Sequence, residues 1–244
     1  MINNIPVEVK KRITGQTILS YFDCERQKMM ENKKRAILIG AGEKNAERDD
    51  LGNSEENVVI ALDGGLIFCV ENDIIPNYII GDFDSLPCEK QSLLENYPND
   101  RVMRLPCEKD DTDMLAAIKF AMKKGISDFV IYGGLGGRLS HTIANIQCLM
   151  YLKERGLNGV LVGKNTRAFL LKNETVIFDE GYSGYISVFS YSEKAEGVTL
   201  KGLKYELEDA ELTAKYPLGV SNELIGKEAQ VSVREGVLLL VMDQ

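Results

Sequence analysis

Tryptophan is absent from this 244-residue chain, and histidine occurs once, at His141. That scarcity excludes histidine-rich zinc sites, and any Ser-His-Asp chemistry would have to pass through the one residue. The five cysteines, Cys24, Cys69, Cys88, Cys107 and Cys148, form no C-x-x-C pair. They read as free thiols, buried as small apolar groups in a reducing compartment. Basic charge is short as well: 29 Lys+Arg stand against 37 Asp+Glu, a net charge of -8. No nucleic-acid partner is expected on that balance, because such binding comes mainly from Lys and Arg neutralising phosphates. Purely apolar runs reach only about six residues, as at 237–242, far from the ~20 that span a bilayer. The N-terminus lacks a basic start followed by an apolar stretch. The expectation is a cytoplasmic protein with no membrane partner.

What is present is a chain whose hydrophobic grammar changes along its length. Residues 1–34 are polar, carry Lys10-Lys11-Arg12, and show only a weak stripe of Ile18, Leu19 and Phe22. They read as an N-terminal extension, helical or flexible. Between 35 and 156, four short apolar runs (36–39, 58–62, 78–80 and 129–132) each close on a loop of Gly or Asp. Helical patterns lie between them. Residues 112–124 place Leu115, Ile118 and Met122 on one face, with Asp111 as a cap and Gly125 as a stop. Residues 139–155 do the same with Ile143, Ile146 and Met150. Strands alternating with amphipathic helices predict an α/β domain, a mostly parallel sheet with helices on both faces. Over 157–244 strand-like runs follow one another without a helix. The run 198–207 alternates around Gly202, and 230–241 reads as a hairpin turning at Glu235-Gly236. This part is expected to be an all-β sandwich.

Every motif that carries chemistry in the α/β domain follows a strand, where open α/β sheets bind ligands. In Gly81-Asp82-Phe83-Asp84-Ser85, an extended backbone would point Asp82 and Asp84 the same way, toward one hard cation such as Mg²⁺. A plain turn is the alternative. Lys109-Asp110-Asp111-Thr112-Asp113 opens a helix. Capping and the helix dipole account for one or two of its carboxylates, whereas a shared cation accounts for all three. Gly133-Gly134-Leu135-Gly136-Gly137-Arg138 leads from a strand into a helix. Unshielded backbone N–H groups there make an anion pocket, and Arg138 adds a bidentate phosphate clamp. His141 lies beside that pocket, as a phosphate contact or a structural residue. Asp63-Gly64-Gly65 either admits a ligand to the backbone or simply turns. Two acidic clusters and an anion pocket on one sheet edge describe a metal–nucleotide phosphate site.

In this order, Asp63-Gly64-Gly65, Gly81-Asp-Phe-Asp-Ser85, Lys109-Asp-x-Thr-Asp113 and Gly136-Gly-Arg138 with Ala144-Asn145 resemble the thiamine pyrophosphokinase family. A late Ser221-Asn222-Glu223, following Gly202-Leu-Lys-Tyr205, is similar to that family's thiamine-binding domain. The resemblance spans roughly 36–244. It implies transfer of the terminal pyrophosphate of ATP to the hydroxyethyl oxygen of thiamine, in a homodimer with its active site between subunits. By the same resemblance Asp82, Asp84 and Asp113 hold Mg²⁺ and the triphosphate, and Arg138 clamps phosphate. Asp63, Gly64, Gly65, Lys109, Asp110, Thr112, Gly136, Gly137 and His141 border the nucleotide, while Ser221 and Asn222 line the thiamine pocket. Three features depart from the family pattern: Ser140 where an Asp is common, no Trp to stack on thiamine so that Tyr216 or aliphatic groups must serve, and an unmatched N-terminus. Two rivals are a non-catalytic thiamine or nucleotide sensor and a Mg²⁺-dependent D-x-D phosphatase.

Overall fold

The computed structural model describes residues 10–13, 34–43, 57–84 and 86–243. The chain divides into two compact units, one of residues 32–167 and one combining 1–31 with 168–244.

The first unit is built on a sheet ordered β7-β6-β2-β3-β4-β5. Its strands are β2 (Arg35–Ile39), β3 (Asn57–Leu62), β4 (Tyr78–Gly81), β5 (Val102–Arg104), β6 (Asp128–Tyr132) and β7 (Asn158–Val162). All five pairings are parallel. Parallel strands sit in the interior, which is why β2 is buried at every position and reads as an unbroken apolar run. Three helices are described here: α1 (Gly65–Glu71), α2 (Asp113–Lys123) and α3 (Leu139–Lys153). Short 3₁₀ turns at Cys88–Asn96 and Asn99–Arg101 link β4 to β5.

Both long helices bury faces other than those expected. Helix α2 turns Met114, Ala117, Ile118 and Ala121 inward. Of the expected set only Ile118 is buried, because two alanines allow a closer approach than Leu115 and Met122 would. Helix α3 buries Asn145, Cys148, Leu149, Leu152 and Lys153, leaving Ile143 51% exposed. Its polar inward residue has a reason: the Asn145 amide donates to the Gly134 carbonyl at 2.7 Å.

The second unit is all-β in its described residues. One sheet has the order β1-β9-β14-β11-β12, from β1 (Lys10–Ile13), β9 (Thr175–Phe178), β14 (Ala229–Ser232), β11 (Lys194–Lys201) and β12 (Leu207–Thr213). A further run of neighbours is β13-β10-β15-β8, from β13 (Gly219–Ile225), β10 (Ser183–Ser190), β15 (Val237–Asp243) and β8 (Thr166–Lys172). In segment 1–33, residues 10–13 form a strand parallel to β9, fixed by Arg12 to Asp179 and Glu228, while the helical stripe expected at Ile18, Leu19 and Phe22 lies outside the described residues. Three further expectations are corrected. Residues 158–162 pair with β6 and belong to the first unit, so the division falls after 167 and not after 156. Residues 198–207 are not one strand: the chain breaks at Gly202, whose φ of +70° and closeness to the Glu228 carbonyl leave no place for a side chain. Nor are β14 and β15 a hairpin. The first pairs with β9 and β11, the second with β10, and the Arg234 and Glu235 amides bond instead to the Glu196 carbonyl. Of the cysteines, Cys69 and Cys148 are buried, whereas Cys88 and Cys107 are exposed. Among the described residues no helix is long and apolar enough to cross a membrane.

Candidate active site

The loops after β2, β3 and β6 meet at the carboxyl end of the sheet, where backbone packs directly on backbone. A Cβ on Gly65 would lie 1.9 Å from the Ile39 carbonyl oxygen, and one on Gly42 2.4 Å from that of Gly133. The Gly42 amide donates to the Gly133 carbonyl at 3.1 Å. Gly65 is therefore required by the turn that starts α1, and neither it nor Gly64 has a side chain to block the floor of the site.

Three carboxylates converge above this floor. Asp63 follows β3, Asp82 follows β4, and Asp113 is the first residue of α2. One oxygen from each lies within 4.8 Å of the others. Asp63 holds its position with φ +43°, its carboxylate accepting the Phe83 amide at 3.1 Å. Burial first, then the Asp113 charge, push its carboxyl up to about 7. Burial also acts upward on Asp82, but the Asp84 amide at 3.2 Å and Lys109 outweigh it and hold that carboxyl below the usual range. Lys109 bridges the group, its Nζ 3.2 Å from Asp82 Oδ2 and 2.7 Å from Asp113 Oδ1. Burial would lower the lysine, yet these bonds raise it above its ordinary value. Asp113 Oδ1 is buried without an aligned hydrogen bond among the described residues. A compact set of hard oxygens, one of them resisting ionisation, fits a divalent cation such as Mg²⁺.

The cluster differs from the expected trio. Asp63 is in it and Asp84 is not. The extended backbone presumed for Asp82 and Asp84 fails at Phe83, which has φ +62° and buries its ring to 2% exposure beneath the Arg104 guanidinium. Asp82 is thereby turned inward and Asp84 left exposed. The remaining acidic residues part company. Asp110 is exposed, and Asp111 is taken by Lys119 through both oxygens at 2.7 Å. The cap of α2 is Thr112, accepting the Leu115 amide at 3.2 Å, and not Asp111. Ser85 lies outside the described residues.

On the same end of the sheet, Gly136 and Gly137 have φ of +78° and +68°, and Arg138 is the N-cap of α3 with no side-chain cap bond. Arg138, Ser140 and His141 are all exposed, so this turn presents amides and a guanidinium outward. In the β unit, Ser221 is exposed with φ +55°, its amide donating to Ser187 Oγ at 3.1 Å. Asn222 is only 3% exposed. It accepts the Tyr205 amide at 2.9 Å and donates to the Tyr205 carbonyl at 2.6 Å. Asn222 thus fixes a neighbouring loop and does not offer its amide outward.

The sequence placed Asp63 at the nucleotide but not among the metal ligands, and gave Gly81 and Gly42 no role of their own. The signal for Asp63 was the position of an acidic residue just after a strand, beside a second strand that runs out through Gly81-Asp82.

Residues 51–161 match the family described as "Thiamin pyrophosphokinase, catalytic domain", and residues 174–238 match "Thiamin pyrophosphokinase, vitamin B1 binding domain". The thiamine pyrophosphokinase of Bacillus subtilis (strain 168) is 30% identical over 211 residues, 85% of this chain and 98% of that protein. The crystal structure of thiamin pyrophosphokinase from Geobacillus thermodenitrificans superposes with a TM-score of 0.75 at 28% identity, covering 86% of this chain and 97% of its own. The Candida albicans enzyme shares the fold at 16% identity, with a TM-score of 0.74 over 100% of this chain and 96% of its own. The chain belongs to the thiamin pyrophosphokinase family, a family of enzymes.

Proposed function

We propose that this protein transfers the terminal pyrophosphoryl group of ATP to the hydroxyethyl oxygen of thiamine, releasing AMP and thiamine diphosphate. The observation that carries this reading is the Asp63–Asp82–Asp113 cluster with Lys109 at the carboxyl ends of β3 and β4. A bond forms between the thiamine oxygen and the β-phosphorus. The bond from that phosphorus to the α,β-bridging oxygen breaks, and the hydroxyl proton leaves to a base.

Asp82, Asp113 and Asp63 would hold Mg²⁺, with exposed Asp84 meeting it or the triphosphate from the rim. When bound, Mg²⁺ neutralises and orients phosphate oxygens, which is most of what phosphoryl transfer asks of a protein. The turn at Gly136 and Gly137 presents amides to phosphate, Arg138 clamps it, and Lys109, Asp110, Thr112 and His141 border the nucleotide. Gly64 and Gly65 leave the floor open. Asp113 would accept the alcohol proton. Ser221 would face thiamine. Tyr205 and Tyr216, 61% and 67% exposed, supply aromatic surface in place of tryptophan.

The reading also takes the sheet as covered on both faces and the β unit as a sandwich. Right-handed crossovers put α1, between β3 and β4, opposite α2 and α3, whose connections run the other way across the sheet. It takes the protein as a cytoplasmic homodimer. Edge strand β13 leaves Val220 and Ile225 51% and 43% exposed, an apolar surface that suits a second copy.

Phosphorus NMR of the purified protein with ATP, Mg²⁺ and thiamine tests the reaction. Equal appearance of AMP and thiamine diphosphate, lost without Mg²⁺, is expected. Orthophosphate release instead would mean a phosphatase, and unchanged ATP a sensor.

A further inference from the structure

Lys109 occupies the position a cation is expected to take. Its ammonium lies between Asp82 Oδ2 and Asp113 Oδ1, two of the three clustered carboxylates, with its side chain only 15% exposed. The N–O distances of 3.2 and 2.7 Å hold those oxygens at ammonium spacing, wider than the ~2.1 Å contacts that Mg²⁺ requires. Two cations between the same pair of oxygens would repel strongly at 3–4 Å separation. A lysine, with a long stem and a point charge, can swing away where a rigid ligand cannot. Its backbone lies in the irregular stretch between β5 and α2, not in a helix or strand.

We propose that Lys109 is a resident counter-ion with two positions. In the metal-free protein it neutralises Asp82 and Asp113 and keeps the cluster assembled. Mg²⁺ displaces it, and the released ammonium turns to the phosphates of the incoming nucleotide. Metal entry and the arming of a phosphate-binding lysine are then one event, so a nucleotide arriving without metal meets a lysine still tied to aspartate. The proposal rests on the reading of the acidic cluster as a divalent-cation site. It adds that the site is never without a positive charge.

Competitive acetylation of lysines, read by peptide mass spectrometry, tests this without turnover. Lys109 is expected to be protected in EDTA, to label about tenfold faster with Mg²⁺ alone, and to be protected again when a non-hydrolysable ATP analogue is added. The tenfold reflects a released position populated about one-tenth of the time before metal arrives. By the same population, Lys109→Met should bind Mg²⁺ about tenfold more tightly than the wild type in calorimetry without nucleotide. Unchanged Lys109 labelling in a protein that binds Mg²⁺ overturns the displacement. Continued labelling after the analogue is added overturns the move to phosphate. Absence of Mg²⁺ binding in both proteins overturns the cation site itself, which separates that failure from the others.

Discussion

Gly81 gives the space of its missing side chain to Asp63: a Cβ at residue 81 would lie 1.8 Å from Asp63 Oδ1 and 2.7 Å from its Cγ. The glycine that ends β4 and the aspartate that follows its parallel neighbour β3 thus interlock. The Asp63 carboxylate is inserted over the end of β4 and reaches the Phe83 amide. Gly81 does not need a positive φ; it needs to be small.

Gly81→Ala should therefore act through Asp63. The added methyl expels the carboxylate, and activity is expected to fall by about 10² or more, as when one preorganised polar group is removed from a site. The double variant Gly81→Ala/Asp63→Ala should be no less active than Asp63→Ala alone, because both remove the same group. Rates measured for all three variants check this. Losses that simply multiply would show that residue 81 acts by another route.

Asp63 also makes metal-free stability pH-dependent. Its folded pKa of about 7 lies above the ordinary 3.8, so the folded state favours the protonated form. That contribution is fully present below about pH 4 and is lost as pH rises through about 7. After discounting for partial exposure it is worth about 1–2 kcal/mol, or ~3–6 °C in Tm. In EDTA, wild type should lose that much more Tm than Asp63→Asn between pH 5 and pH 8, and Mg²⁺ should restore it at pH 8. Parallel pH profiles for the two proteins would remove Asp63 as the cause.

Asp82→Asn takes a charge from the centre of the cluster while leaving shape and size nearly unchanged. The expected result is a fall in kcat of about 10³ or more, with thiamine affinity retained, since the loss is of charge stabilisation and not of binding surface. Near-normal AMP formation by this variant would sink the assignment of the site.

Much of this architecture was legible in order along the chain. The buried strands β2, β3, β4 and β6 are apolar runs because a parallel sheet is covered, and each ends in the loop residues that build the site. What was not legible depended on partners distant in sequence. Nothing local marks Asn145 as inward-facing until the Gly134 carbonyl is opposite it. The D-F-D spacing hid a left-handed Phe83, whose ring is drawn inward beneath Arg104 and rotates Asp84 out of the cluster. Strand β5 is three residues long with two of them exposed, too short and polar to show a pattern. The apparent hairpin at 230–241 failed because period two specifies a strand but not its neighbour.

Asn222 carries the last prediction. Its side chain is buried and makes three bonds: it accepts from the amides of Tyr205 and Glu223, each at 2.9 Å, and donates to the Tyr205 carbonyl at 2.6 Å. Lys204 adds a 2.9 Å ion pair to Glu223, so the Tyr205 loop is stitched to β13 from both sides. Asn222→Ala leaves the Tyr205 amide and carbonyl without these partners and should cost about 2–4 kcal/mol. On the proposed placement of thiamine near Ser221 and Tyr205, the loosened loop should raise KM for thiamine about tenfold and leave KM for ATP within about twofold, a split of roughly 1.4 kcal/mol. Steady-state kinetics with each substrate varied in turn measures it. Equal rises in both constants would mean that Asn222 serves general stability and not the placement of Tyr205.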